Sequence, residues 1–325
     1  MTLSRRSGLR LVLGAAALPA ISRNARAQAY PSRPVRIVVG FSAGGPNDIN
    51  ARLISQWLSE RLGQQFIVDN RPGASGNIAM ESVVKSPPDG YTLVMVATSS
   101  AVNATLYDKL PFVFLRDIAP IGTISRNYFV LVVHPSLPVT TALELVAYAK
   151  ANPGQLNMGS PGSGTGPHMA GELFKMMAGV RTTNVPYRGS APMLTDLLGG
   201  QVQFAFDGIS SSIEHIRSGR LRALGVSTAT RLDALPDVPP IGELVPGYEA
   251  IGWQGLGTPK GTPAEIIDML NREIGAGLAD PKLRARIAEL GNAAFALSPA
   301  AFGKLLAEDT EKWGRVVRFA GLKPE

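Results

Sequence analysis

Short β-branched runs alternate with segments of helical period, and the first two runs end in glycine-rich loops; few folds can accommodate that order. Val35-Arg36-Ile37-Val38-Val39 is bounded by Pro34 and Gly40 and reads as a buried strand. The turn-rich stretch Phe41–Asp48 follows, and Ile49, Leu53, Ile54, Trp57, Leu58 and Leu62 then recur at helical spacing up to Gly63. Phe66-Ile67-Val68 is a second strand, 70–77 a second glycine loop, Ile78 to Lys85 a short helix, and Tyr91 to Ala97 a third strand entered through Pro87-Pro88-Asp89-Gly90. Strand, helix, strand, helix, strand predicts an α/β fold with parallel pairing.

The pattern then resets. Tyr128 to Val133 is a long apolar strand, Thr141 can cap a helix through Lys150, and a loop from Gly159 to Gly166 leads into a helix from Pro167 to Ala178. Strands are expected at Asn184–Tyr187, Val202–Phe206 and Leu221–Val226. Gly252-Trp253-Gln254-Gly255-Leu256 can return the chain to the first unit, followed by helices near 264–278, 281–290 and 299–319. The expectation is therefore two α/β lobes joined by two crossings, near 124–128 and 248–252. Residues 28–126 with 250–325 form lobe 1, and 127–249 form lobe 2.

The net charge of +7 suggests nucleic acid until its location is considered. Residues 1–27 carry Arg5, Arg6, Arg10, Arg23 and Arg26 and no acid; without these five the remainder is only +2, too little for a duplex binder. The same 27 residues read as an export signal. A basic start precedes the apolar Leu11–Ile21, which is short of the roughly 20 residues a spanning helix needs. Ala25-Arg26-Ala27 offers small residues for cleavage before Gln28. Arg5-Arg6 resembles a twin-arginine signal, and an ordinary Sec signal is the equal alternative; a buried N-terminal helix is the other reading. The chain has no cysteine, which excludes disulfides, a lipid-anchored cysteine, thiol catalysis and cysteine metal sites.

Five segments are candidate ligand contacts. Phe41, Ser42, Ala43, Gly44, Gly45 and Asp48 lie where a strand end meets a helix start, and free N–H groups with the positive helix end suit an anion there. Asp48 or Asn47 capping the helix is the other reading of that loop. Ser160, Gly162, Ser163, Gly164, Thr165 and His168 repeat the arrangement in the second unit. Tyr187, Arg188 and Gly189 form a turn in which Arg188 can pair with a carboxylate. Asp207 and the hydroxyls of Thr98, Ser99 and Ser100 follow strand ends, where α/β sheets hold ligands. The Gly159–Gly166 loop lacks the lysine of a Walker loop and the trailing acid of a dinucleotide site, so no cofactor is expected. A Ser160 or Ser163, His168, Asp207 triad lacks the nucleophile elbow that would expose its serine. His134, His168 and His215 are not spaced as metal ligands, and no metal site is expected.

Taken in order, Pro34–Val39, Gly44–Asp48 with Ala51-Arg52, Asp69–Asn77, Pro88–Leu93, Gly159–His168, Val185–Gly189 and Asp196–Val202 resemble the Bug-type (TctC-like) substrate-binding proteins of tripartite tricarboxylate transporters. The resemblance covers the chain beyond the signal. It departs from the commoner family versions at Ser42-Ala43 and Thr98-Ser99-Ser100. It implies a two-lobed Venus-flytrap fold of the type II-like class, with two mixed sheets flanked by helices. It further implies a monomeric periplasmic receptor that closes on a small organic carboxylate, held mainly by loop N–H groups, hydroxyls and waters. Its partners would be the membrane subunits of a transporter, with no enzymatic activity. The resemblance carries Phe41–Gly45, Asp48, Thr98–Ala101, Ser160–Thr165, His168, Tyr187–Gly189 and Asp207 as the binding set. A ligand sensor for a signalling partner and, more remotely, an α/β hydrolase-like enzyme are the alternative functions.

Overall fold

The structure is a computed structural model, and it describes residues 30–187 and 189–324. Residues 1–27, expected to be an export signal, and Arg188 lie outside the described residues. In the first half, β1 (Val35–Val39), β2 (Phe66–Asn70) and β3 (Thr92–Ala97) alternate with α1 (Pro46–Leu62) and α2 (Asn77–Val84), and α3 (Thr98–Leu106) and the short α4 (Phe114–Asp117) follow. The long strand β4 (Ile118–Val133) leads to α5 (Ala142–Ala151), β5 (Asn157–Ser160), α6 (Gly166–Ala178), β6 (Thr183–Pro186), α7 (Ser190–Leu198), β7 (Phe204–Gly208), α8 (Ile209–Arg217) and β8 (Arg222–Val226). Last come β9 (Ile251–Pro259), α9 (Ala264–Ala279), α10 (Pro281–Glu289), β10 (Asn292–Ala294) and α11 (Pro299–Ala320).

The expected pair of mixed sheets is present, but the two share a strand. The order β2-β1-β3-β9-β4-β7-β5-β6 is continuous, with β8 and β10 also on β4. β1 pairs in parallel with β2 and β3, as the buried, β-branched runs of β1 and β3 predict, and β5 pairs in parallel with β6 and β7. Every pair made by β4 and β9 is antiparallel. The exchange of partners on β4 is abrupt: Tyr128 faces Ile251 of β9, and the next residue, Phe129, faces Gly208 of β7. β4 is also far longer than the run Tyr128–Val133 read from hydrophobicity. Its first half carries Pro120, Gly122 and polar residues, and two register shifts there accommodate them.

Three apolar layers cover the sheets. Ile37, Leu58, Leu256, Ile274 and Ile287 pack α1, α9 and α10 on one face of the first sheet. Val130, Val132, Met193, Leu197 and Ile209 pack α7 and α8 on one face of the second. The remaining faces join in one core running from Val94 through Phe129, Trp253 and Phe302 to Phe174 and Phe206. α11 lies across this junction, touching α3, β4 and α6. Its Trp313 and Val316 are fully buried, and Trp253 Nε1–H donates to Asp309 Oδ2 at 2.5 Å.

Candidate functional site

A cleft of about 890 Å³ opens where the strand ends of the two sheets face each other. Five helices begin at its walls: α1 at Gly45–Pro46, α3 at Thr98, α6 at Gly166–Pro167, α7 at Gly189–Ser190 and α8 at Gly208–Ile209. The first N–H groups of a helix have no acceptor within it, and no cap side chain satisfies those of α1, α6, α7 or α8. The local sequence explains this. Glycine stands at the cap of α1, α7 and α8, the Thr165 hydroxyl before α6 donates to the Gly162 carbonyl at 2.7 Å instead of capping, and proline stands in the first turn of α1 and α6.

The first wall is Phe41, Ser42, Ala43, Gly44 and Gly45, all lining the cleft. It approaches its neighbour so closely that a Cβ on Gly40 would sit 2.5 Å from Gly76 Cα. Asp48, expected at the ligand or at the helix cap, instead braces this loop from behind. The side chain is 2% exposed and accepts from Gly44 N–H at 2.8 Å, Asn70 Nδ2 at 3.0 Å and both ends of the Arg52 fork at 2.9 Å. Burial pushes its carboxyl up, but the Arg52, Gly44 and Asn70 donors outweigh burial and hold it below its ordinary value. Thr98 and Ser99 line the cleft from the start of α3. Ser100 does not, because its Oγ accepts from Ala97 N–H at 3.3 Å.

On the second wall Thr165, Gly166 and Pro167 line the cleft, whereas Ser160, Gly162, Ser163, Gly164 and His168 do not. His168 is 1% exposed; its Nδ1 accepts from Gly164 N–H at 2.9 Å, and its Nε2 lies 3.5 Å from Glu172, which also pairs with Lys175 at 2.7 Å. Burial pushes the Glu172 carboxyl up, and His168 and Lys175 together bring it below its ordinary value. Ser160 Oγ is buried with no hydrogen-bond partner among the described residues. Tyr187 also turns away, donating to Asp196 Oδ2 at 2.7 Å; burial first and that bond second raise its phenol to about 12. Gly189 lines the cleft.

Asp207 is fully buried beneath the wall rather than on it. Its carboxylate accepts from Ser190 at 2.6 Å, Ser211 at 2.6 Å and Ser212 at 2.7 Å, tying the starts of α7 and α8 together. Burial raises its pKa, opposed by those hydroxyls and by Gly208 N–H. With His168 held by Gly164 and Glu172, and Asp207 by serines, the Ser160 or Ser163, His168, Asp207 triad is not assembled. Among the described residues no three His, Cys, Asp or Glu side chains gather as a metal site.

Several lining residues were not among the ligand contacts expected from sequence: Asn47, Asn127–Phe129, Ser190, Ser210, Ser211, Gly252–Gln254 and Leu290–Asn292. The hydroxyls of Ser190, Ser210 and Ser211 follow strand ends at helix starts, the same signal that selected Thr98. Asn127–Phe129, Gly252–Gln254 and Leu290–Asn292 reach the cleft only because β9 and β10 flank β4.

Residues 50–322 match the family described as Tripartite tricarboxylate transporter family receptor. BugT of Bordetella pertussis is 35% identical over 300 residues, covering 91% of this chain and 92% of BugT. A solved structure described as R. palustris Rpa4515 with adipate is 39% identical with a TM-score of 0.81, covering 91% of this chain and all of that one. MatC from Rhodopseudomonas palustris with bound malate is 30% identical with a TM-score of 0.78, covering 89% of this chain and all of that one. The two-lobed fold and the non-enzymatic character expected from the resemblance are those of these relatives, and the chain belongs to the tripartite tricarboxylate transporter receptor family of periplasmic solute-binding proteins.

Proposed function

We propose that this protein captures a small carboxylate-bearing solute in the periplasm by closing its lobes, and presents it to the membrane subunits of a tripartite tricarboxylate-type transporter. The convergence of five helix starts on one cleft carries this reading, since oriented N–H groups and positive dipole ends stabilise an anion without a cationic side chain. The adipate and malate in the related structures support a carboxylate as the class.

In this reading lobe 1 is 28–126 with 250–325 and lobe 2 is 127–249. The hinge sits where β4 exchanges β9 for β7. Each lobe supplies part of the donor set, so the solute binds the closed state more tightly and shifts the population toward it. The ligand contacts come from Phe41–Gly45, Thr98, Ser99, Thr165 and Gly189, with Ser190, Ser210, Ser211 and Asn292 added. The segment 1–27 directs export and is removed after Ala27.

Thermal unfolding of protein beginning at Gln28, screened against organic acids, tests the capture. A ligand that binds only the folded state adds about 2.7 kcal/mol at a hundredfold excess over Kd. Small-angle scattering with the stabilising acid should show a smaller radius of gyration. A folded, ligand-free protein that no carboxylate stabilises would refute the proposal.

A further inference from the structure

We infer that the cleft takes a carboxylic acid with an uncharged hydrocarbon body, linear or aromatic, in preference to compact polyanions such as citrate or malate. This rests on the carboxylate-binding reading above. None of the described residues lining the cleft is Asp, Glu, Lys, Arg or His. Its donors lie at the helix starts, while Phe41, Tyr128, Phe129, Pro161, Ile209 and Leu290 supply apolar surface.

The Phe129 ring is fixed in place. A Cβ on Gly166 would lie 2.5 Å from its Cζ and one on Gly252 would lie 2.9 Å from it, so two glycines leave the space the ring fills. The carboxylates that brace the walls are Asp48, balanced by Arg52, and Asp207, met by hydroxyls and the Gly208 N–H. Helix starts can satisfy a carboxylate, but each further charge brought into this surface is desolvated without a countercharge among the described lining residues. A hydrocarbon body instead gains from each methylene removed from water.

Titration calorimetry at pH 7 on protein beginning at Gln28 tests this with succinate, adipate, hexanoate, benzoate, malate and citrate. From succinate to adipate the affinity should rise roughly fourfold per methylene. Adipate, hexanoate or benzoate should exceed both malate and citrate by about tenfold or more. Leu290→Asn changes a half-buried lining residue just after α10; it should flatten the dependence on chain length, lowering adipate and hexanoate affinity severalfold, and an unchanged gain per methylene would count against an apolar subsite there. Malate or citrate binding as tightly as the best hydrocarbon acid would overturn the inference while leaving carboxylate capture standing. Binding of none of the six by folded protein would remove carboxylate capture and this inference together.

Discussion

Asp48→Asn separates a residue that holds the cleft loop from one that touches solute. The carboxylate accepts four bonds: Oδ2 from Gly44 N–H and Arg52 Nε, Oδ1 from Asn70 Nδ2 and Arg52 Nη2. An amide of the same shape keeps one acceptor oxygen and turns an NH2 toward two of those donors. Arg52 is 55% exposed and can be solvated instead, so its share of the loss is discounted. Asn70 keeps its bond to the Phe41 carbonyl. The loss then falls on one charge-assisted bond to a buried group, about 2 kcal/mol, or a melting point lowered by about 4 °C. Thermal unfolding followed by circular dichroism at pH 7 reads this directly. Because donors hold the folded carboxyl below its ordinary value near 3.8, the stabilisation is complete above that value. It is lost as the pH falls through the lowered folded value, so wild type and variant should converge in strong acid. A variant as stable as wild type that lost solute affinity a hundredfold would refute the reasoning and place Asp48 on the ligand.

Asp207 shifts the other way: its folded pKa is raised by burial, so wild-type stability should fall as pH rises from near 3.8 through the raised value, and Asp207→Asn should flatten that slope in urea unfolding. Gly166→Ala places a Cβ 2.5 Å from Phe129 and should cost about 1–3 kcal/mol; adding Phe129→Leu should return part of that loss, which a double-mutant cycle measures. Ser160→Ala removes a buried hydroxyl with no partner among the described residues, so stability should change by less than about 0.5 kcal/mol or rise. Carboxylate affinity should also be unchanged, and a tenfold loss would place Ser160 at the solute.

The alternation of elements was legible because β1, β3 and the end of β4 are buried on both faces and read as continuous apolar runs. Thr141 as the cap of α5 and Gly63 as the stop of α1 are local signals that held. Four helices are not legible in full, and the short α4 gives no signal at all. Thr98-Ser99-Ser100 signals only a strand end, although it opens α3; Ile209-Ser210-Ser211-Ser212 opens α8, and Ser190-Ala191-Pro192 opens α7. Serine and threonine favour caps and turns, and here the packing of Val102, Leu106 and Ile209 into the cores prevails. Polar type alone was a poor guide to the cleft. His168, Tyr187 and Asp207 satisfy partners within their own wall, whereas the less conspicuous Asn127, Gly252 and Asn292 reach the cleft through antiparallel pairing around β4.

The shared strand also sets an order of assembly. All strands of the second sheet lie between β4 and β8, in one unbroken stretch of chain. The first sheet waits longer: β3 and β4 meet through β9, so Val94 finds its partner Gly257 only after the intervening stretch has been made. α11, later in the chain than every strand, then covers the joint core. The second sheet can therefore form while the first still has an open edge, and refolding should show the slow closure that long-range pairing imposes. Trp253 and Trp313, both in the core that α11 completes, would report that final step by their fluorescence.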